Sequence, residues 1–140
     1  MADKWANEIA PDLEVFHALA ETTRDQLPAM FLNAAKTVLL RIEDTPNEQL
    51  LIEMGAPDAY AITGLYDGIP LTEKSVSDQP ARPDTIWLFR LPILDEWASR
   101  GNVSLGDLVG HVYIHELAHH FGWTDDDIAA VDPWWQPAEP

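Results

Sequence analysis

The sequence HELAHHFGWTD at residues 115–125 decides how this chain is interpreted. Residues four apart on an α-helix lie one turn above each other on the same face, so His115 and His119 can reach a single metal ion. Glu116 lies beside them, where a general base would stand in a metal-dependent hydrolase. Gly122 follows where such a helix would end, and Asp125 comes three residues later. The stretch therefore predicts a metal-binding helix with an acidic group next to the ion.

Two histidines do not complete a catalytic zinc site, which usually has three protein ligands and one water. Asp125, His111 and His120 are the candidates for the third ligand. Because a helix rises about 1.5 Å per residue, His111 is about 12 Å from His119 along the axis, and it suits the cleft wall better. His120 points about 100° away from His119, which suits a surface or buttressing role. Asp125 is the preferred third ligand, since a turn at Gly122 can fold its carboxylate back over the ion.

Composition limits the remaining possibilities. The chain has 140 residues, which suits one domain, and we assign residues 1–132 to it and residues 133–140 to a C-terminal tail. It contains no cysteine, so any metal ligands must be His, Asp or Glu. The net charge of −16 argues against binding nucleic acid and favours solubility, with a preference for basic peptides as a further possibility. We find neither a signal peptide nor a membrane span, and expect a cytoplasmic protein.

Helices and strands alternate along the chain. The best strand pattern is residues 85–91, which Pro92 should end, followed by a short helix at residues 93–99. The motif helix should start at Ser104, which opens a capping box, and run to about residue 121. The remaining predicted elements are helices at residues 3–23, 28–35, 46–54 (opened by Thr45) and 125–131, a strand at residues 37–43, a turn or hairpin at residues 64–71 and a loop at residues 72–83.

The motif is similar to the extended zinc motif of the metzincin peptidases, with Asp125 in place of their third histidine. The chain more closely resembles the small bacterial zincin-like metallopeptidase family. The resemblance lies in its length, in GLYDGIPL at residues 64–71, and in IHELAHHFG at residues 114–122 followed by Asp125. It extends over most of residues 12–131 and is specific in the last third of the chain.

This resemblance implies an α+β, minimal zincin-like fold, in which several helices pack on a small mixed sheet. It implies Zn²⁺ held by His115, His119 and Asp125, with Glu116 as the base in the hydrolysis of peptides or unfolded proteins. Substrate adds to a sheet edge in zincins generally, and the strand containing Trp87, Leu88 and Phe89 is the candidate here. The same strand can equally be part of the core.

The chain departs from the metzincins because its methionines, at positions 1, 30 and 54, all precede the motif. Only 15 residues follow Asp125, so groups that stabilise the oxyanion would come from upstream, with Tyr66, Arg90 and His111 as candidates. The leading interpretation is a zinc metalloendopeptidase. A zinc-containing regulatory or peptide-binding protein on the same scaffold, and a purely structural zinc site, are the alternatives.

Overall fold

Five helices and a three-stranded sheet make up the part of the chain that the computed structural model describes, which is residues 9–68 and 83–126. This arrangement confirms the α+β class expected from the sequence. In chain order the elements are α1 (Leu13–Asp25), α2 (Ala29–Ala35), β1 (Leu39–Glu43), α3 (Glu48–Glu53), β2 (Gly64–Asp67), β3 (Thr85–Phe89), α4 (Arg90–Arg100) and α5 (Leu105–His120).

The sheet is mixed, and β3 is its central strand. Strand β1 runs parallel to β3, with Leu39 opposite Thr85, and β2 runs antiparallel to it, with Gly64 opposite Leu88. The prediction that Trp87, Leu88 and Phe89 form a substrate-binding edge is therefore wrong. Their main-chain groups are used by strands on both sides, so β3 has no open edge to offer. The edge strand next to the motif helix is β2.

Helices α1 and α5 cover one face of the sheet. Strand β3 turns Ile86 and Leu88 toward them, and both side chains are fully buried, while Trp87 faces the other side. This alternation is the period-2 pattern of a strand. The two residues share a core with apolar side chains of the helices and of the β1 region, namely Phe16, Ala20, Ala35, Val38, Ile93, Leu108, Val109, Val112, Tyr113 and Leu117. The motif helix is thus fixed by its apolar side.

The helix starts follow local hydrogen bonding. Ser104 caps α5 as predicted, because its Oγ accepts from the N–H of Asp107 at 3.0 Å. Helix α3 is capped by Asn47 rather than Thr45, since the Asn47 side chain accepts from Leu50 N–H at 2.7 Å. Helix α4 begins at Arg90, before Pro92 rather than after it. Proline is tolerated there because the first-turn N–H groups have no partner within a helix.

The first helix starts later than predicted: residues 9–12 are not helical, because the Asp12 side chain caps α1 by accepting from the N–H of Val15 at 2.9 Å. Some predicted segments lie outside the described residues: residues 3–8 of the first helix, residues 69–82 with most of the predicted loop, residues 127–131 of the last helix, and the tail at residues 133–140. The division into a domain and a tail therefore stays a prediction. Within the part of the chain that is described, no helix is long and apolar enough to cross a membrane.

Candidate metal centre and active site

Helix α5 carries both histidines of the motif on the side that meets β2. The ring centroids of His115 and His119 are 5.1 Å apart, as expected one helical turn apart on one face. The helix and the strand approach closely at Gly64, where an added Cβ would lie 2.8 Å from Cγ1 of Val112 and 3.2 Å from Cγ of Glu116. A glycine at this position allows the edge strand to lie directly against the helix beside the motif.

The turn after α5 brings Asp125 back to the histidines. Gly122 has a φ of 92°, a conformation that side chains other than glycine rarely adopt. Its N–H donates to the carbonyl oxygen of His119 at 2.9 Å, which closes the helix. Oδ1 of Asp125 then lies 3.2 Å from Nε2 of His115 and 3.1 Å from Nε2 of His119. The structure therefore brings together the three residues that the sequence proposed as ligands.

The hydrogen bonding of His119 determines which of its ring nitrogens carries the proton and which presents a lone pair to Asp125. Nδ1 of His119 lies 2.8 Å from the carbonyl oxygen of Trp123. A carbonyl only accepts, so Nδ1 carries the proton and Nε2 of the neutral ring presents a lone pair. The Asp125 carboxylate is also only an acceptor. The two groups therefore face each other across a gap that calls for a positive charge, either a proton or a metal ion.

The environment of His115 favours the neutral form of its imidazole ring. Burial, and next the charge of His119, lower the pKa of His115, while Asp125 acts in the opposite direction. Metal ligation requires neutral imidazole, so this environment suits a cation bound by lone pairs.

The donor set fits zinc. Two ligand atoms at about 2.1 Å from a tetrahedral zinc ion lie about 3.4 Å apart. The separations of Asp125 Oδ1 from the two Nε2 atoms, 3.2 and 3.1 Å, are within a few tenths of an ångström of that value. Within residues 9–68 and 83–126, this is the only group of three potential ligands whose ligating atoms all lie within 4.8 Å of one another. Two imidazoles and one carboxylate form a set common in catalytic zinc sites and leave a fourth position open.

Glu116 lies beside this group on the edge-strand side. Burial raises the pKa of its carboxyl to about 7, with His119 and a hydrogen bond from the main-chain N–H of Tyr66 lowering it and Asp125 raising it. A carboxyl group with a pKa near neutrality is well matched to transferring protons in both directions. The position and the environment of Glu116 therefore both suit a general acid–base residue.

Two clefts meet at His115 and Glu116. The larger, of about 530 Å³, is also lined by Met54, Leu65, Trp123 and the other two candidate ligands. The smaller, of about 250 Å³, is lined by residues that include Thr63, Glu96, Leu108 and His111. The candidate base therefore stands where an extended ligand crossing from one cleft to the other would pass.

The remaining candidates take different positions. His111 lies in the wall of the smaller cleft. Tyr66 lines the larger cleft, but its hydroxyl is bonded to Asp84 and His120 rather than directed at the ligands. Arg90 is engaged elsewhere, because Nε donates to Asp44 at 2.7 Å and Nη1 donates to the Pro11 carbonyl at 3.0 Å. The structure therefore does not support Tyr66 or Arg90 as oxyanion-stabilising side chains.

Sequence reasoning missed two contributors to the site. The Trp123 carbonyl that orients His119 is a main-chain group, so no side-chain pattern indicates it. Asp84, which binds the Tyr66 hydroxyl, follows a polar, proline-containing stretch and gave no motif signal. Both act beside the candidate ligands or base rather than as part of them.

Comparison with known families agrees with this geometry. Residues 35–135 match the model of the family described as Zincin-like metallopeptidase. The match covers most of the chain, including the sheet, α4, α5 and the three candidate ligands. The chain therefore belongs to the zincin-like metallopeptidase family, which implies a metal, usually zinc. No curated protein sequence gives a significant match.

Proposed function

We propose that the protein is a zinc-dependent endopeptidase in which Glu116 is the general base. The observation that carries the proposal is the position of Glu116, next to a zinc-compatible set of two histidines and one aspartate and between two clefts. A purely structural zinc site needs no such carboxyl group and is usually closed by four protein ligands.

In the proposed reaction, His115, His119 and Asp125 hold the ion. Zn²⁺ in such a site supplies Lewis acidity, which lowers the pKa of water toward about 7 and polarises the scissile carbonyl. Glu116 takes the proton from the attacking water and delivers it to the leaving amine. The pKa of the Glu116 carboxyl is about 7 in the metal-free protein, and a group with a pKa near neutrality can both accept and donate a proton.

The outer edge of β2 is the proposed substrate-binding strand. Phe89 N–H donates to the Thr63 carbonyl at 2.9 Å, so residues 63, 65 and 67 bond toward β3. Gly64 and Tyr66 consequently direct their main-chain groups away from the sheet, and no described strand pairs with that edge. An extended peptide can add there through main-chain hydrogen bonds to Gly64 and to the Tyr66 carbonyl, since the Tyr66 N–H faces Glu116, with alternate side chains entering the clefts.

Substitution of Glu116 by glutamine tests the proposal. Parent protein should carry about one zinc per chain, and Glu116→Gln should retain it because the three ligands are unchanged. Hydrolysis of an unstructured peptide library should fall by about 10²–10⁴-fold, the usual contribution of a general base. Glu14→Gln is the matched control, since this exposed side chain in the first turn of α1 lines neither cleft.

Three results would count against the proposal. If the Glu116→Gln variant hydrolyses peptides as fast as the parent, Glu116 is not the general base. If the protein takes up no zinc after remetallation, the three residues do not form a zinc site. Parent protein that retains library peptides without cutting them would instead favour the alternative, a zinc-containing peptide-binding protein.

A further inference from the structure

A buried polar cluster lies behind the candidate active site, formed by Tyr66, Asp84 and His120. The Tyr66 hydroxyl is 2.8 Å from Oδ2 of Asp84 and 2.9 Å from Nδ1 of His120, and the last two atoms are 3.2 Å apart. The side chains of His120 and Asp84 are only 3% and 8% exposed. Burying polar groups is costly unless they are hydrogen-bonded, so the mutual bonding here must offset that cost.

The donors and acceptors in the cluster can be assigned. Asp84 as a carboxylate only accepts, and the single hydroxyl proton of Tyr66 is directed to it. Nδ1 of His120 faces the Tyr66 oxygen and the Asp84 carboxylate, both of which need a donor, so Nδ1 carries the proton. His120 therefore serves as a donor whose Nδ1–H lies between two oxygens.

The three members of the cluster come from different parts of the fold. Tyr66 is on the edge strand β2, Asp84 directly precedes the central strand β3, and His120 is the last residue of α5, next to His119. The cluster thus ties the edge strand to the end of the motif helix. Its bonds constrain the distance between the two elements that border the candidate active site.

The main chain of Tyr66 faces the other way, toward the base. Its N–H points out of the sheet, as the alternation described above requires, and it acts on Glu116 as a nearby main-chain donor that lowers the pKa of the carboxyl. The same strand lies against Glu116 at Gly64, where an added Cβ would be 3.2 Å from Cγ of Glu116. One residue thus has its hydroxyl fixed in the buried cluster and its amide on Glu116.

We propose that Tyr66 is a positioning residue, whose side chain, held by Asp84 and His120, keeps the edge-strand amide on Glu116 and so orients the base. The expected effect of Tyr66 on catalysis rests on the proposed peptidase function. The expected effect of Tyr66 on the position of the edge strand does not. A hydrogen bond to one carboxylate oxygen leaves the other oxygen directed at the reacting water. Such orientation by a supporting hydrogen bond is a known requirement for precise catalytic geometry.

The test compares Tyr66→Phe with Tyr113→Phe. Tyr113 is a buried tyrosine on α5 that takes no part in the cluster, whereas Tyr66 is half-buried. Each variant removes one tyrosine hydroxyl at the core or packed against it, so a loss of thermal stability in either is expected and does not discriminate. Three readouts do: hydrogen exchange of the residue-66 amide followed by NMR, zinc content, and kcat measured separately from KM.

In Tyr66→Phe we expect the residue-66 amide to exchange at least about tenfold faster relative to core amides, because its protection should fall by about the free energy of one hydrogen bond. Zinc content should be unchanged, and kcat should fall by about tenfold or more with a smaller change in KM. Tyr113→Phe should match the parent in amide exchange and kcat. Asp84→Asn should be intermediate, because its amide oxygen can still accept from Tyr66, and it serves as the test variant should Tyr66→Phe not fold.

Parent-like exchange of the residue-66 amide in Tyr66→Phe would overturn the proposal, as would a parent-like kcat in an active protein. If the parent hydrolyses no peptide, the proposed function fails, while the exchange measurement still decides whether the cluster positions the strand on Glu116. The two failures are therefore distinguishable.

Discussion

Nδ1 of His119 is hydrogen-bonded to the carbonyl oxygen of Trp123, at 2.8 Å. The acceptor comes from the turn that follows the helix, and the N–H of Trp123 itself donates back to the Ala118 carbonyl at 3.0 Å. The same turn delivers Asp125. The orientation of one candidate ligand and the position of another thus depend on a single backbone reversal at Gly122, and such supporting contacts commonly tune metal affinity.

Gly122→Ala should therefore weaken zinc binding. A side chain at a φ of 92° costs roughly 1–2 kcal/mol, and relaxation of the turn would move both Asp125 and the Trp123 carbonyl. We expect zinc affinity, measured by competition with a chromophoric chelator, to fall by about tenfold. The matched control is Gly101→Ala, which also has a positive φ (72°) and open space around the site of the added Cβ. That control should lose stability but keep the parent's zinc affinity, and equal losses in both variants would contradict the assigned role of the turn.

Gly64→Ala should separate the edge strand from the motif helix. The added Cβ would lie 2.8 Å from Val112 Cγ1 and 3.2 Å from both Glu116 Cγ and the Trp87 carbonyl oxygen, so something must move. Overpacking of this kind typically costs about 1–3 kcal/mol, and we expect a lower melting temperature together with loss of hydrolysis. Gly106→Ala on the same helix meets only Leu19 Cδ2 at 3.5 Å, and it should be neutral or stabilising by up to about 1 kcal/mol. A Gly64→Ala variant with parent-like activity would show that the close contact is dispensable.

Zinc binding should release a proton from Glu116 under mildly acidic conditions. A carboxyl group with a pKa of about 7 is mostly protonated at about pH 6, and a nearby cation favours the ionised form. Calorimetry in buffers of different ionisation enthalpy should show that the parent releases nearly one proton more than Glu116→Gln at about pH 6. The difference should vanish above about pH 8.5, where the carboxyl is already ionised. Equal proton release from both proteins at the lower pH would mean that Glu116 is already ionised there.

Arg90→Gln should affect stability rather than catalysis. The substitution removes the bonds to Asp44 and to the Pro11 carbonyl, which link the start of α4 to the β1–α3 connection and to the segment before α1. Because Asp44 is half exposed, we expect a loss of about 1 kcal/mol, or roughly 3 °C in melting temperature. The kcat measured well below the melting temperature should stay within about twofold of the parent's. A tenfold decrease in kcat under these conditions would instead indicate that Arg90 takes part in catalysis.

The sequence predicted the parts of the site that depend on local geometry. The spacing of His115 and His119, the Ser104 cap and the turn at Gly122 are all set within a few residues, and the structure has each of them where it was expected. The position of Asp125 over the two histidines follows from that turn. These are features for which helix periodicity and capping preferences carry nearly all the information.

The parts that were wrong or missed depend on pairing between distant segments. Alternation in residues 85–89 identifies a strand but does not say whether its neighbours lie on one side or on both, so the edge was assigned to the wrong strand. The short strand at residues 64–67 contains a glycine and was interpreted only as part of a turn or hairpin. Asp84 meets Tyr66 through the pairing of strands, and His120 meets it through the packing of α5 against β2, neither of which a local pattern specifies.

The hydrogen bond between the Tyr66 amide and Glu116 has a consequence for the pattern of products. In the proposed peptidase, the base is joined to the same strand that pairs with the substrate, so the register of pairing decides which peptide bond is cut. A paired strand that slips by one residue exchanges its two faces, whereas a slip of two restores them. Secondary cleavages should therefore fall two residues from the main site, in either direction, rather than next to it.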